Sequence, residues 1–139
     1  MTLLRSRPLR QKSAKAIIRD RTLASVKVSV LKRSGYRCEL CKAVGGRLDL
    51  HHVFGRGNRS GPVGQTWADS AECCASLCAG PGTEDCHGRI SNGGWPAGDE
   101  TLRRAATLRL VDALTIAIDT DAPNLPWIMG ALEDLEIEP

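Results

Sequence analysis

All six cysteines and all three histidines of this 139-residue chain fall between Cys38 and His87. A segment so dense in soft donors is constrained more by what it binds than by what it buries. It opens with Cys38-Glu39-Leu40-Cys41, passes Asp49-Leu50-His51-His52 and closes on Cys78 and the dipeptide Cys86-His87. A Cys-x-x-Cys turn followed at a distance by a second cysteine pair supplies the four ligands of a structural zinc site. Cys38, Cys41, Cys78 and Cys86 fit that role, while Cys73 and Cys74 are two further thiols that leave the choice of four open. The three histidines are then left over, two adjacent and one beside the last cysteine, in the arrangement that a second, open metal site needs.

Composition supports the metal reading. Aromatic residues make up only 4% of the chain, so a metal cross-link is a reasonable substitute for part of the core. The length suits a single domain. No run approaches the roughly 18 apolar residues of a membrane span, and basic residues 1–10 do not lead into an apolar signal-type stretch. A cytoplasmic protein without membrane partners is expected. In a reducing compartment six cysteines read as metal ligands plus spare thiols better than as disulfides.

Net charge is +3, and its distribution says more than its sum: residues 1–33 carry ten Lys or Arg against one acid, residues 34–98 six against six, and residues 99–139 three against nine. A basic arm thus leads into a neutral metal segment and an acidic end. Such an arm attracts a nucleic-acid backbone in a salt-dependent way; a solvated tail is the plainer alternative.

Residues 1–12 lack hydrophobic period and are expected as a flexible basic arm, followed by one domain over 13–139 with a core at 36–92 and a helical extension at 99–135. Ser13 as N-cap and Gly35 after the last turn bracket a helix, with Ile18, Leu23, Val26, Val30 and Leu31 on its buried side. The alternation of Val26-Lys27-Val28-Ser29-Val30 is the competing strand reading. Leu48 to Val53 reads as a strand with Leu48 and Leu50 on one face and Asp49 and His51 on the other, which sends His51 and His52 to opposite sides unless the chain bends there. Residues 55–70 read as a polar loop, Cys74 to Cys78 as a returning strand, and 79–85 as a loop. Asp85 would cap a short helix from Cys86 that cannot pass Asn92. Asp99 to Thr120 reads as a long helix with Leu102, Ala106, Leu110, Leu114 and Ile118 repeating every four residues; Leu125 to Leu135 is a last short helix. Trp67 and Trp95 read as packing residues rather than base-stacking platforms.

The segment 28–92 resembles the HNH endonuclease family. The likeness is carried by Arg33-Ser34-Gly35-Tyr36-Arg37-Cys38-Glu39-Leu40-Cys41, Leu48-Asp49-Leu50-His51-His52-Val53, Ser76-Leu77-Cys78 and Asp85-Cys86-His87-Gly88. The long gap inside the second cysteine pair looks most like small endonucleases of bacterial viruses. The resemblance implies an α+β fold: a zinc-braced, treble-clef-like ββα-metal core flanked by an N-terminal helix and C-terminal helices. It further implies that His51 and His87 ligate a catalytic divalent metal while His52 is the general base, a role that neutral imidazole suits near neutral pH. Imidazole ligands favour manganese, cobalt, nickel or zinc over magnesium, and Asp49 is available as an added oxygen ligand. Arg56 and Arg59, on the loop after the doublet, are the expected phosphate contacts. Arg37 and Arg89, beside zinc cysteines, carry the same two readings, phosphate contact or plain surface arginine.

One position departs from the family: its asparagine, five residues before the third zinc cysteine, is Cys73 here, with Asn58 a distant substitute. The expected activity is hydrolysis of DNA phosphodiester bonds with low sequence specificity, in the bacterial host cytoplasm if phage-encoded. The alternative is a catalytically silent zinc-braced module that binds DNA or protein, such as an accessory subunit working with phage packaging proteins.

Overall fold

The computed structural model describes residues 11–55 and 67–135. They form four helices and a two-stranded sheet, a mixed α+β arrangement: α1 (Ala14–Ser34), β1 (Arg47–His52), β2 (Cys74–Ala79), α2 (Cys86–Ser91), α3 (Pro96–Thr120) and α4 (Leu125–Asp134). Two single 3-10 turns, Trp67–Asp69 and Ala71–Cys73, precede β2. Most of the expected basic arm, and Arg56, Asn58 and Arg59 with it, lies outside the described residues.

The first helix starts and stops where its caps dictate. Ser13 Oγ accepts from the Ala16 amide, and Gly35 takes a left-handed conformation (φ 65°). Tyr36 N–H then reaches back to the Leu31 carbonyl at 2.9 Å, closing the orphaned last turn. Only Val26 and Val30 are buried on this helix, because only its C-terminal half lies on the sheet, against Cys74, Leu50 and Ala71. Ile18 is 63% exposed and Leu23 and Leu31 are half-buried, so the buried stripe is shorter than the sequence period implies.

The strands run antiparallel with Leu48 opposite Cys78, Leu50 opposite Ser76 and His52 opposite Cys74. Opposed residues share a face. One face therefore carries Leu48, Leu50, His52, Cys74, Ser76 and Cys78, and the other carries Asp49, His51, Ala75 and Leu77. The first face receives the cysteine knuckle, docked by Glu39 N–H to the Ser76 carbonyl at 2.9 Å and by Ser76 N–H to Glu39 Oε2 at 2.9 Å.

Two arginines lock the surrounding elements. Arg33, at the end of α1, pairs with Glu39 at 3.0 Å and donates to the carbonyls of Ala71 at 2.6 Å and Cys74 at 2.7 Å. Arg109 of α3 donates to Glu72 O and Cys74 O from the other side. Burial first, and then the nearby Arg33 charge, lower the Arg109 pKa.

The long helix begins at Pro96, three residues ahead of Asp99, since proline at a first turn loses no hydrogen bond. It buries Leu102, Ala106, Leu110, Leu114 and then Ala117, while Ile118 is 59% exposed. A strict four-residue repeat gains about 40° per step against a helix of 3.6 residues per turn, so by Ile118 the stripe has rotated off the core. The buried face of α3 joins Cys38, Cys78, Cys86, Leu77, Trp67, Ile128 and Leu132 in one cluster. Trp67 is fully buried, its Nε1 donating to Asp134 Oδ2 of α4 at 2.8 Å.

Candidate functional site

Cys38, Cys41, Cys78 and Cys86 bring their sulfurs within 4.8 Å of one another. Cys38 and Cys41 come from the turn after α1, Cys78 from β2 and Cys86 from the first residue of α2, so three otherwise separate pieces of chain meet at one point. All six cysteines are thiols rather than disulfides. Cys73 and Cys74 stand apart in the core, which resolves the choice of four; burial pushes the Cys74 thiol up to about 12. In the cluster itself, burial raises the Cys38 pKa but the amides of Cys78, Cys41 and Leu40 outweigh it and bring it down to about 7. Cys41 and Cys86 are pushed up, first by burial and, among the further causes, by neighbouring cluster sulfurs. One thiolate forms readily and then opposes the next, a conflict that a soft divalent cation removes. The donor set fits zinc.

The hinge of this arrangement is the loop 79–85 and its cap. Asp85 adopts a left-handed conformation (φ 48°) and its carboxylate accepts from Gly88 N–H, and from Gly80 N–H at 3.3 Å. A Cβ at Gly88 would collide with that carboxylate, so the glycine in the first turn of α2 is a requirement of the cap rather than a weakness of the helix.

His87, next on α2, faces the sheet side that carries Asp49 and His51. Its Nδ1 lies 3.2 Å from Asp49 Oδ2, and its ring stands edge-on to His51 with centroids 5.4 Å apart. Burial raises the Asp49 pKa, but hydrogen bonds from Arg47 and His87 overcome this and hold it below the usual range. Burial, then the His87 charge, press the His51 pKa down to about 4. His51 Nε2 is enclosed without a hydrogen-bond partner among the described residues. One imidazole thus has a bare enclosed nitrogen, and the other is held through Nδ1 by a carboxylate. Among the described residues the four thiols are nonetheless the one donor group that is fully gathered.

His52 has a different environment. It is 8% exposed and its Nε2 lies 2.9 Å from Oδ1 of Asp69, a carboxylate that is itself 2% exposed. Strand alternation sends His51 and His52 to opposite faces, as expected, yet β1 ends at His52 and both residues border one cleft of about 410 Å³. Its remaining walls include Trp95, Asp99 and Arg103 from the start of α3 and Ile90 from α2. Arg103 donates to Asp99 at 3.0 Å and reaches over the Phe54 ring; Arg89 lies over Trp95 at 4.1 Å. The Cys73 carbonyl accepts from Val53 N–H at 3.0 Å.

Asp69, Asp99 and Arg103 are site residues that the sequence alone did not single out. Only the even spacing of Asp99 and Arg103 on one helix face offered a signal, and nothing in the sequence linked that face to the histidines. Compared with protein-family models, curated proteins and solved structures, the chain matches none. Among the described residues no helix is long and apolar enough to cross a membrane.

Proposed function

We propose that the chain is a metal-dependent endonuclease of the HNH kind, hydrolysing DNA phosphodiester bonds with little sequence selectivity of its own. The observation that carries this reading is the meeting of Asp49, His51 and His87 across β1 and α2, with His52, the third histidine, bordering the same cleft as His51. In this reading the four-cysteine zinc fixes the start of α2 against β2, and so holds His87 opposite His51. The zinc-braced ββα-metal architecture belongs to the same proposal.

His51 and His87 hold the catalytic metal, with Asp49 orienting His87 through its Nδ1. A divalent cation there supplies Lewis-acid stabilisation of the charge that builds on the phosphate and the departing 3′ oxygen. Manganese, cobalt, nickel and zinc suit imidazole donors; magnesium suits them less. His52 removes a proton from the attacking water. Arg103 and Arg89 flank the cleft as cations for the flanking phosphates, a role that the sequence suggested for Arg56 and Arg59 and also for Arg89, but not for Arg103.

The close pairing of His52 with a buried carboxylate favours one competing reading, a zinc-braced module that binds DNA or protein without turnover. Cleavage of supercoiled plasmid across magnesium, manganese, nickel and zinc, with His52→Ala run alongside, separates the two. Nicking or linearisation by the wild type alone supports the nuclease. Equal activity of the variant points to another base or a contaminant, and silence of the wild type with every metal leaves the binding module.

A further inference from the structure

We infer that Trp95 is a positioning residue, a fixed platform that holds the Arg89 guanidinium ready to grip a DNA phosphate at the edge of the cleft. The inference rests on the proposed reading of the cleft as a DNA site. It gives the indole, which the sequence reads as a packing residue, a part in binding the strand.

Local geometry brings the two side chains together. Gly93 takes a left-handed conformation (φ 70°), and Gly94 N–H returns to the Arg89 carbonyl at 2.9 Å, so the chain leaving α2 folds back over its last turn. Trp95 follows at once, as the residue that caps the start of α3. Its carbonyl accepts from Asp99 N–H at 3.1 Å. Its ring lies so close to Gly98 that a Cβ there would come within 2.7 Å of the indole. Trp95 is therefore set by backbone on either side and does not depend on the Arg89 side chain. The guanidinium carbon of Arg89 lies 4.1 Å from the centre of that ring.

The pair suits a phosphate. An arginine stacked on an aromatic face keeps its in-plane N–H fork free, and that fork matches two oxygens of one phosphate. Arg89 is exposed, and among the described residues no acid pairs with it, whereas Arg33, Arg47, Arg103 and Arg104 each meet a carboxylate. Trp95 and Ile90, the residue after Arg89, both line the cleft with His51, so the grip stands on the rim of the proposed site. Holding a long side chain in advance removes part of the ordering cost that binding otherwise carries. Because Arg89 already lies over the indole, the strand meets a guanidinium rather than a ring. The contact then goes to the backbone, which carries no sequence information.

The test is DNA binding, read by fluorescence anisotropy of a short labelled duplex over a series of salt concentrations with no divalent metal added. Arg89→Ala should weaken binding and flatten the dependence of log affinity on log salt by about one unit. Trp95→Leu keeps the charge and loses the platform, so the slope should stay while affinity falls by about two- to tenfold; Trp95→Phe should recover most of the loss. Arg89→Lys, a change at an exposed position, should match Trp95→Leu, since an ammonium keeps the charge without the stacked fork. Adding Trp95→Leu to Arg89→Ala should cost nothing further, because the platform then has nothing to hold. An unchanged slope in Arg89→Ala, wild-type affinity in Arg89→Lys, or a full extra loss in the double variant overturns the inference, while cleavage of plasmid by the wild type leaves the nuclease reading intact. Wild-type protein that shows the expected effects but cleaves plasmid with no metal keeps the grip and loses the nuclease reading, whereas failure to bind the duplex at all ends the inference.

Discussion

At the scale of single residues, the charged groups near the sheet divide into those that hold the fold and those that face the cleft. Arg33 belongs to the first kind: it pairs with Glu39 and donates to two backbone carbonyls. Hydrogen bonds to a charged donor are each worth about 1.5–3 kcal/mol, and losing Arg33 takes a donor from the Ala71 carbonyl and leaves the Cys74 carbonyl to Arg109 and the Glu39 carboxylate to Ser76 N–H. Arg33→Ala should cost about 2–3 kcal/mol in urea unfolding, and Arg33→Lys should recover little, because an ammonium cannot form the fork. His51 belongs to the second kind. Its pKa drops from 6.5 unfolded to about 4 folded, so between those values the unfolded chain binds more protons. Stability is then fully present above about pH 6.5 and declines as pH falls toward 4. His51→Asn should remove this component, seen as a shallower acid limb in unfolding midpoints measured from pH 7 to pH 4.

At the scale of elements, the short α2 and the long α3 serve the cleft in different ways. The first turn of α2 exists because Asp85 wraps over Gly88, and Gly88→Ala should lower stability by about 1–2 kcal/mol, the worth of an N-cap, with His87 displaced along with it. In α3 it is the first turns that border the histidines, with Arg103 tied to Asp99. If Arg103 meets a phosphate, Arg103→Ala should weaken DNA binding across all sequences and flatten the dependence of log affinity on log salt by about one unit. An unchanged slope in fluorescence anisotropy titrations would remove Arg103 from the interface.

These elements also show what a sequence discloses. Ser13 and Gly35 marked both ends of α1 because caps are local chemistry, and Asp85 marked the start of α2 for the same reason. The start of α3 lies three residues before the Asp99 that the sequence pattern indicated, because a proline in the first turn opens a helix as readily as it ends the one before it. Ile118 misled because a four-residue repeat drifts against the helical period. Asp69 gave no signal at all: its meaning depends on a partner 17 positions away, met only once β1 and the 3-10 turn pack together.

For the whole molecule, the decisive feature is that the four-cysteine cluster lies inside the main hydrophobic cluster, with Cys38, Cys78 and Cys86 among its buried members. The two-stranded sheet is too small to be stable by itself, and α2 has only six residues, far below the length at which a helix stands alone in water. The cysteine cluster joins these marginal pieces, whereas α3 and α4 pack by ordinary apolar burial. Metal removal should consequently split the molecule rather than soften it evenly. Titrating the thiols with an organomercurial should release a single zinc equivalent, and hydrogen exchange should then accelerate across β1, β2 and α2 while the buried face of α3 stays more protected. Cys41→Ser and Cys86→Ser should each abolish tight zinc retention, and Cys73→Ser and Cys74→Ser should each keep the full equivalent. Zinc lost from the last two variants, or uniform exchange after metal release, would mean that the fold is not organised around those four sulfurs.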